Sequence, residues 1–571
     1  MQYKEVMNAN AGQHPHRETA AAGILQGVGG HALALSVLLA LSAFPSLYHG
    51  IGRDVLANSD MDMLSVYEAL LINAGQPIVP VALNGYGYFL SLAAWFQVFH
   101  WLGLISVFDM GGLLAASDFD LTYGALIKAG RWFSVFQAWL LVGLMYAAIC
   151  ALFANRGNGR WAGLLLAGVF AIGGGGLAAQ SVMLRPELLA TILVFTAALA
   201  LMAAPKATYG LGLWLLGLSG AFIHAALMAK TQSVIVIMFL PLLPLVFGWW
   251  QRRSPAVVPP PGPRIAVLVA AVVLGVPVAI VFAQSLASSS SGLYQALIGA
   301  FVIACALAYG RMNLGGFDHG VVGLAAVVIG FSLAYDLVFF NSNWWTTYSV
   351  VNFLELMSTY SPGGAPDGGG LGGAASPGSG GTIGKVAHSL ADGFSITEIT
   401  RFVAERLRNI DYPFAVFYLL VPAATVILAL RGKWESAVRS AYLCLMAGLI
   451  VAVFWLGRGF FNFLYTVYVE VWVTLAAAII LQALASMAAA WAPTARRMGQ
   501  LAIAGLMVAI VTLNVSFRLT DPSAANPTTP KSACFFRSLT PMFYDKFDAY
   551  CETGPSSRRT AIPSKSSDTA G

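Results

Sequence analysis

Charged residues are scarce in this chain of 571 residues: Asp, Glu, Lys and Arg make up 10% of it, whereas 58% is hydrophobic. A soluble domain carries about 25% charged residues. Because a bilayer disfavours charge and requires apolar runs of about 20 residues, the composition excludes a soluble globular protein and indicates a polytopic membrane protein. The net charge of +6 is spread over loop ends, where basic residues set membrane orientation, so it indicates no nucleic-acid partner.

Cysteines and nucleotide-binding motifs are also few. Three of the five cysteines (Cys150, Cys305 and Cys444) lie in apolar runs and are predicted to be packing residues. Cys534 and Cys551 lie in the polar tail, where they form a disulfide if the tail is extracytoplasmic. No zinc spacing, Walker sequence or nucleophile elbow in a convincing context occurs. This argues against ATP or a sugar nucleotide as a direct donor.

The hydrophobic runs predict an all-α polytopic fold with about thirteen transmembrane helices. Residues 1–27 are predicted to be a cytoplasmic segment, 28–516 the transmembrane domain and 517–571 an extracytoplasmic tail. Each span is near the length that a helix needs to cross a bilayer. The predicted spans are 28–48, 132–154, 161–180, 188–204, 211–229, 232–250, 265–285, 293–310, 320–340, 412–431, 438–456, 466–490 and 500–516.

Basic residues follow the even-numbered spans, which places those loops inside by the positive-inside rule. The alternation requires that residues 49–131 stay on the outer face as a long first extracytoplasmic loop. The aromatic run 86–108 is then an interfacial helix and not a span, which its Tyr, Trp, Gln and His residues favour. A second extracytoplasmic loop, 341–411, contains a Gly/Ser/Pro tract that cannot bury a core.

Carboxylates concentrate in the first loop. Asp60, Asp62 and Glu68 lie within nine residues of one another. A carboxylate at a membrane surface is a candidate general base, because partial desolvation raises its pKa towards the working range. Asp60 is the first choice and Asp62 the second; they face different sides of a helix but the same side of an extended segment. One of them can instead orient the other or hold a metal.

Two further sets of residues belong to this interpretation. Tyr86, Tyr88 and His100 are predicted to lie at the interface near the acceptor. His49, His100 and Asp54 can join the two aspartates as hard ligands, which leaves a divalent ion such as Mg or Mn open.

Four cations lie at the predicted outer ends of spans, where a lipid phosphate would sit: Arg131, Arg185, Lys230 and Arg458. Arginine or lysine beside a dry site stabilises the charge of a leaving phosphate. The alternative is that these side chains reach headgroups, or that Arg185 pairs with Glu187. His224 and Glu470 lie in or near spans, where an ionisable group marks either a functional site or a helix–helix contact.

The order of these features resembles the GT-C-fold integral membrane glycosyltransferases, such as protein O-mannosyltransferases and lipid A aminoarabinose transferases. The similarity rests on Ser59–Asp62 followed by LSVYEALLINAGQPIVP, on Asn84–Phe89, on Trp101–Gly103 and on Arg131 opening the second span. It is strongest over 28–250. The resemblance implies transfer of a sugar from a polyprenyl-phosphate donor to a lipid, glycan or protein acceptor on the extracytoplasmic face, in a bacterial inner membrane.

Two other functions compete with this one. A transporter or flippase of lipid-linked glycans is expected to show internal repeats and broken helices with polar residues at mid-membrane. A polysaccharide polymerase or ligase also has about a dozen spans, but its large loop usually lies late in the chain. The carboxylates of the first loop favour the transferase, and the 341–411 loop keeps the polymerase open.

Overall fold

The computed structural model describes residues 17–53, 59–76, 85–153, 159–204, 207–230, 233–237, 240, 261–287, 317–339, 412–430, 441, 444–445, 448, 466–487, 493–520 and 542. Throughout this part of the chain the regular structure is helical, as the composition predicts. The helices are α1 (Arg17–Pro45), α2 (Ser59–Asn73), α3 (Tyr86–Trp101), α4 (Met110–Leu114), α5 (Phe119–Phe153), α6 (Gly159–Gly173), α7 (Gly175–Ser181), α8 (Pro186–Ala203), α9 (Tyr209–Ala229), α10 (Val234–Ile237), α11 (Pro261–Ala287), α12 (Phe317–Phe339), α13 (Tyr412–Leu430), α14 (Val467–Met487) and α15 (Pro493–Thr520).

Six of the described helices are long and apolar enough to cross a membrane. They are α1, α5, α8, α9, α14 and α15, and the bent pair α6–α7 makes a seventh if it is one span. The protein is therefore a helical membrane protein. The count of thirteen stays a prediction, since spans such as 293–310 and most of 438–456 lie outside the described residues.

Contacts between distant segments define two ends of the bundle. At one end, which we call the loop end, Ser46 Oγ donates to the carbonyl of Ser181 at 2.8 Å. At the opposite end, His31 Nδ1 lies 2.7 Å from the Tyr146 hydroxyl. Gln482 Nε2 donates to the carbonyl of Leu152 near that same end. The helices α1, α5 and α14 therefore run between two common surfaces, as membrane-crossing helices do.

Helix α3 lies across the loop end and does not cross the bundle. Its N-terminal Gly85 donates its N–H to the carbonyl of Ala229, where α9 ends. Ten residues on, Trp95 Nε1 donates to the carbonyl of Ala129 at 2.9 Å. Ala129 lies close to Arg131, so both anchors are at the loop end. This geometry agrees with the interfacial helix expected for 86–108. Its final turn and the following residues expose apolar side chains: Val98, Trp101, Leu102 and Leu104.

Close backbone packing fixes the start of α3. A Cβ atom at Gly85 would overlap the carbonyl of Met228, and one at Gly87 would press on the Met228 side chain. Glycine is therefore needed where α3 meets the end of α9. The glycine of the Asn-Gly turn seen in the sequence thus allows α3 to contact the end of α9.

Helix α5 begins earlier than predicted. The expected span was 132–154, but the helix runs from Phe119 over 35 residues, about 52 Å at 1.5 Å per residue. Its first turns are amphipathic and not lipid-like. Phe119, Tyr123, Leu126 and Ile127 are buried in a second apolar cluster with α2 and α3. Packing against these two helices accounts for the early start of α5.

Asn73 ties α2 to its neighbours. Its Nδ2 donates to the carbonyls of Ala93 at 3.1 Å and Phe108 at 2.8 Å, and its Oδ1 accepts from Gln97 Nε2 at 2.7 Å. The chain then turns at Gly75, whose φ of 66° favours glycine. Helices α2 and α3 therefore form one fixed unit at the loop end.

Candidate functional site

A buried ion pair joins the acidic motif to the second span. Arg131 Nε donates to Asp62 Oδ2 at 3.0 Å, and the two side chains are 1% and 0% exposed. The other oxygen, Asp62 Oδ1, accepts from the backbone N–H of Leu184 at 2.8 Å. Both oxygens of this carboxylate are therefore engaged by protein donors, and α2 is attached to α5 and to the turn before α8.

The Nη1 group of Arg131 contacts backbone carbonyls in the chain that follows α1. Arg131 Nη1 donates to the carbonyl of Arg53 at 2.7 Å and lies 3.4 Å from the carbonyls of Gly50 and Ile51. A buried charge is stable only when it is paired and hydrogen-bonded. Arg131 meets this requirement by connecting three chain segments, so its role here is to organise the loop end.

A second buried ion pair lies where α8 begins and α9 ends. Lys230 Nζ is 3.0 Å from Glu187 Oε1, and both side chains are buried. The sequence suggested Arg185 as the partner of Glu187, but the structure gives Lys230 that position. Arg185 directly precedes α8, is 7% exposed and acts on the same carboxylate through its charge. Three of the four predicted phosphate-binding cations therefore lie at the loop end.

Tyr88 on α3 lies between these two ion pairs. Its side chain is fully buried and packs with Phe89 and Phe133. Burial raises the pKa of Tyr88 well above its usual value, and the negative charges of Asp62 and Glu187 raise it further. The phenol therefore stays protonated and can act as a hydrogen-bond donor at the centre of the site.

Arg53 belongs to the site although the sequence did not single it out. Burial lowers the pKa of Arg53, the positive charge of Arg131 lowers it further, and Asp62 acts in the opposite direction. It lies just after α1 with no motif around it, so only the fold shows its position. We name the ionic cluster by its six described members: Arg53, Asp62, Arg131, Arg185, Glu187 and Lys230. Four of its members are cations and two are carboxylates.

Glu470 holds a helix break elsewhere in the bundle. The axis turns by 64° between α6 and α7. Glu470 Oε1 accepts from Gly176 N at 2.7 Å and from Thr466 Oγ1 at 2.7 Å, and Oε2 accepts from Leu177 N at 3.1 Å. This residue therefore makes a capped helix–helix contact, which was one of the two interpretations of its position in the sequence.

Some predicted site residues lie elsewhere. His100 is twelve residues after Tyr88, about 18 Å along the helix. Its ring stacks near Phe108 with a centroid separation of 4.7 Å, and its Nδ1 contacts the carbonyl of Ile105 at 3.2 Å. It shapes the end of α3 and not the ionic cluster. Tyr86 is half-buried at the other end of α3, next to the Gly85 contact.

The aspartates of the 109–120 segment have local roles. Asp109 Oδ1 accepts from Gly112 N at 2.8 Å, and Asp118 Oδ1 accepts from Leu121 N at 3.0 Å. Each thus caps the start of a helix. They organise the link between α3 and α5.

No three His, Cys, Asp or Glu side chains gather at a metal-binding distance among the described residues. Asp62 does not fit the expected metal site, because Arg131 and Leu184 engage both of its oxygens. Asp60 belongs to the first turn of α2, but its side chain, like that of His49, lies outside the described part of the structure. The remaining predicted residues are outside the described part of the chain: Asp54, Arg458, Cys534 and Cys551.

The Glu187–Lys230 pair gives a stability prediction. Glu187→Gln removes the negative charge and leaves the Lys230 ammonium buried without its counterion, which costs about 3 kcal/mol or more. Adding Lys230→Met to this variant is expected to restore much of the loss, because neither side chain of the pair then carries a buried charge. Unfolding in detergent, followed by Trp fluorescence, measures both variants.

The control for this pair is Thr191→Val. Thr191 is also buried on α8, but its hydroxyl donates only to the carbonyl of Glu187 in its own helix. We expect a loss of about 1 kcal/mol or less for it. Equal losses in the control and in Glu187→Gln would mean that the ion pair contributes nothing specific.

The loop end thus brings together an acidic motif, a buried tyrosine and several cations where α2 and α3 meet the bundle. No protein-family model matches the chain, and no curated protein matches it either.

Proposed function

We propose that this protein is a membrane glycosyltransferase of the GT-C type, which transfers a sugar from a polyprenyl-phosphate donor to a hydroxyl acceptor at the loop end. The observation that supports this most is the ionic cluster at the junction of the interfacial helices and the span ends. A lipid phosphate needs cations at this depth, and the lipid chain needs the apolar surface of the neighbouring spans. The loop end is then extracytoplasmic, and the membrane is the bacterial inner membrane.

The reaction has one base and one leaving group. The base takes the proton from the acceptor hydroxyl, and the hydroxyl oxygen forms a bond to the anomeric carbon of the sugar. The bond between the anomeric carbon and the phosphate oxygen breaks, and its electron pair leaves with polyprenyl phosphate. The base later releases its proton to water, so no oxidant, reductant or nucleotide is required.

The two aspartates have different roles in this proposal. Asp62 is the positioning residue, since its carboxylate is buried and bonded to Arg131 and Leu184. Asp60 is the general base, as the first choice from the sequence. It lies in the first turn of α2, two positions before Asp62.

The cations of the cluster stabilise the leaving phosphate. Arg53 interacts electrostatically with Arg131 and Asp62, and Arg185 interacts with Glu187. Charge-assisted hydrogen bonds in a dry site are worth more than in water, so cations there lower the energy of the developing phosphate anion. Tyr88 adds a protonated phenol to the same region.

A transporter or flippase of lipid-linked glycan is the second candidate. The break between α6 and α7, with the buried carboxylate of Glu470 at it, is a feature that transporters use at their binding sites. In this protein, however, Gly176, Leu177 and Thr466 all donate to Glu470 and hold the break. Because the carboxylate at the break is engaged by three protein donors, the transferase is preferred.

The test uses the purified full chain in nanodiscs with radiolabelled polyprenyl-phosphate sugars and a membrane-extract acceptor. Transfer of label to the acceptor supports the proposal. The same protein in vesicles, given a fluorescent polyprenyl-phosphate sugar on one leaflet, tests the second candidate. Transbilayer movement of the donor without transfer of label would replace the transferase by a flippase.

A further inference from the structure

We infer that α7 is a rigid strut, and that Glu470 acts through it as a positioning residue for the Asp62–Arg131 ion pair. One end of α7 is held by the carboxylate of Glu470 on α14. The chain leaving its other end supplies the N–H that binds Asp62. The expected effect on the rate of transfer rests on the proposed transferase function, whereas the expected effect on amide exchange does not.

The first joint is at the start of α7. Glu470 accepts from the N–H groups of Gly176 and Leu177, which are among the N–H groups that a helix leaves unsatisfied at its N-terminus. The third donor is the hydroxyl of Thr466. A carboxylate with three donors, 1% exposed, holds the helix start in one place.

The chain approaches α14 too closely there to allow a side chain. A Cβ atom at Gly176 would overlap the backbone N of Val467, and one at Gly174 would lie 2.9 Å from Glu470 Oε2. Glycines at these two positions therefore let the broken span reach the carboxylate. The break is built around the inserted side chain of Glu470 and not around a proline.

The second joint is at the end of α7. Ser181 is bonded to Ser46, through its carbonyl at 2.8 Å and its hydroxyl at 2.9 Å. The carbonyl of Met183 accepts from Ser134 Oγ at 2.7 Å, and Leu184 N donates to Asp62. Leu184 lies only eight positions after Gly176, and all seven residues from 175 to 181 form the helix itself.

These two joints are connected by buried structure along their whole length. Every residue from Gly175 to Ser181 is buried, and the residues from Val182 to Leu184 are buried as well. Close-packed interiors transmit displacement and do not absorb it. Loss of the Glu470 contact is therefore expected to move Leu184 and loosen Asp62.

Hydrogen–deuterium exchange of the full chain in nanodiscs tests the strut. Glu470→Gln keeps the shape but replaces one acceptor oxygen by an NH2 group, which cannot accept from Leu177. We expect exchange at Gly176 and Leu177 to rise about tenfold, and exchange at Leu184 to rise with it. The matched control is Thr474→Val, because Thr474 lies one turn further on α14 and donates only to the carbonyl of Glu470 within that helix.

Steady-state kinetics distinguish a positioning role of Glu470 from a general loss of structure. In the transfer assay, we expect Glu470→Gln to lower kcat about 10- to 100-fold with the KM for the donor unchanged. Glu470→Asp, which keeps the charge, is expected to retain more activity than Glu470→Gln.

Faster exchange at Gly176 and Leu177 with Leu184 unchanged would overturn the inference, since the first joint would have opened without moving the second. Unchanged exchange at all three amides would overturn it too. If wild-type protein transfers no sugar, the proposed function fails, whereas the exchange result still decides whether α7 is a strut.

Discussion

Asp62→Ala is expected to destabilise the protein by about 3–5 kcal/mol, because it leaves the buried guanidinium of Arg131 without its counterion. The loss has a second part, since the N–H of Leu184 also loses its acceptor. Unfolding in detergent, followed by Trp fluorescence, measures the change. The variant is expected to fold in the cold and to unfold at lower temperature than the wild type.

Two further variants identify the cause of this loss. Asp62→Ala combined with Arg131→Met is expected to recover part of the stability, because no charge is then left buried. Asp120→Ala, at an exposed position in the first turn of α5, should change the unfolding free energy by about 0.5 kcal/mol or less. A single variant at Asp62 as stable as this control would show that the ion pair does not hold α2 in place.

Asp60→Asn is expected to lower the rate of sugar transfer by about 10²- to 10⁴-fold, the usual contribution of a general base. The amide has the size of the carboxylate but cannot take a proton from the acceptor hydroxyl. The folded state should be unaffected, so the unfolding temperature is expected to match that of the wild type. Initial rates at saturating donor, measured in nanodiscs, give kcat directly.

Asp109→Asn is the matched control for Asp60→Asn. Asp109 lies in the same loop and caps α4, and asparagine is as good a helix cap as aspartate. Its transfer rate should equal that of the wild type. A rate for Asp60→Asn within a factor of about two of this control would remove Asp60 as the base.

Much of the loop end could be predicted from sequence because it depends on local signals. Scarcity of charge indicates membrane spans, and the positions of arginine and lysine indicate which loops share a face. Those two rules predict that Arg131, Arg185 and Lys230 lie on one side, where the structure places them. The aromatic content of 86–108 similarly indicates an interfacial helix, which corresponds to α3.

The pairing of charges could not be predicted, because it depends on distances across the fold. Lys230 is 43 positions from Glu187 in the sequence, whereas Arg185 is only two positions away and was the more obvious partner. The early start of α5 could not be predicted from the sequence for a related reason. Its first turns pack against α2 and α3 and not against lipid, so hydropathy places the boundary near Arg131. Arg53 has no surrounding motif, and only its position beside Arg131 identifies it.

The helix break had a visible but ambiguous signal. Four glycines at 173–176 interrupt an apolar run, and Glu470 lies in another span nearly three hundred residues later. Each is unusual alone, but nothing in the sequence connects them. The contact between the Glu470 carboxylate and the N-terminus of α7 is a tertiary feature.

Photo-crosslinking with a polyprenyl-phosphate sugar that carries a diazirine on its first isoprene unit tests the central claim most directly. The donor phosphate should lie beside the ionic cluster, so we expect labelled peptides from 46–53, 181–188 and 226–230. Excess unlabelled donor should compete the label away. Labelling confined to the opposite end, around His31, Tyr146 and Leu152, would contradict a donor site at the loop end.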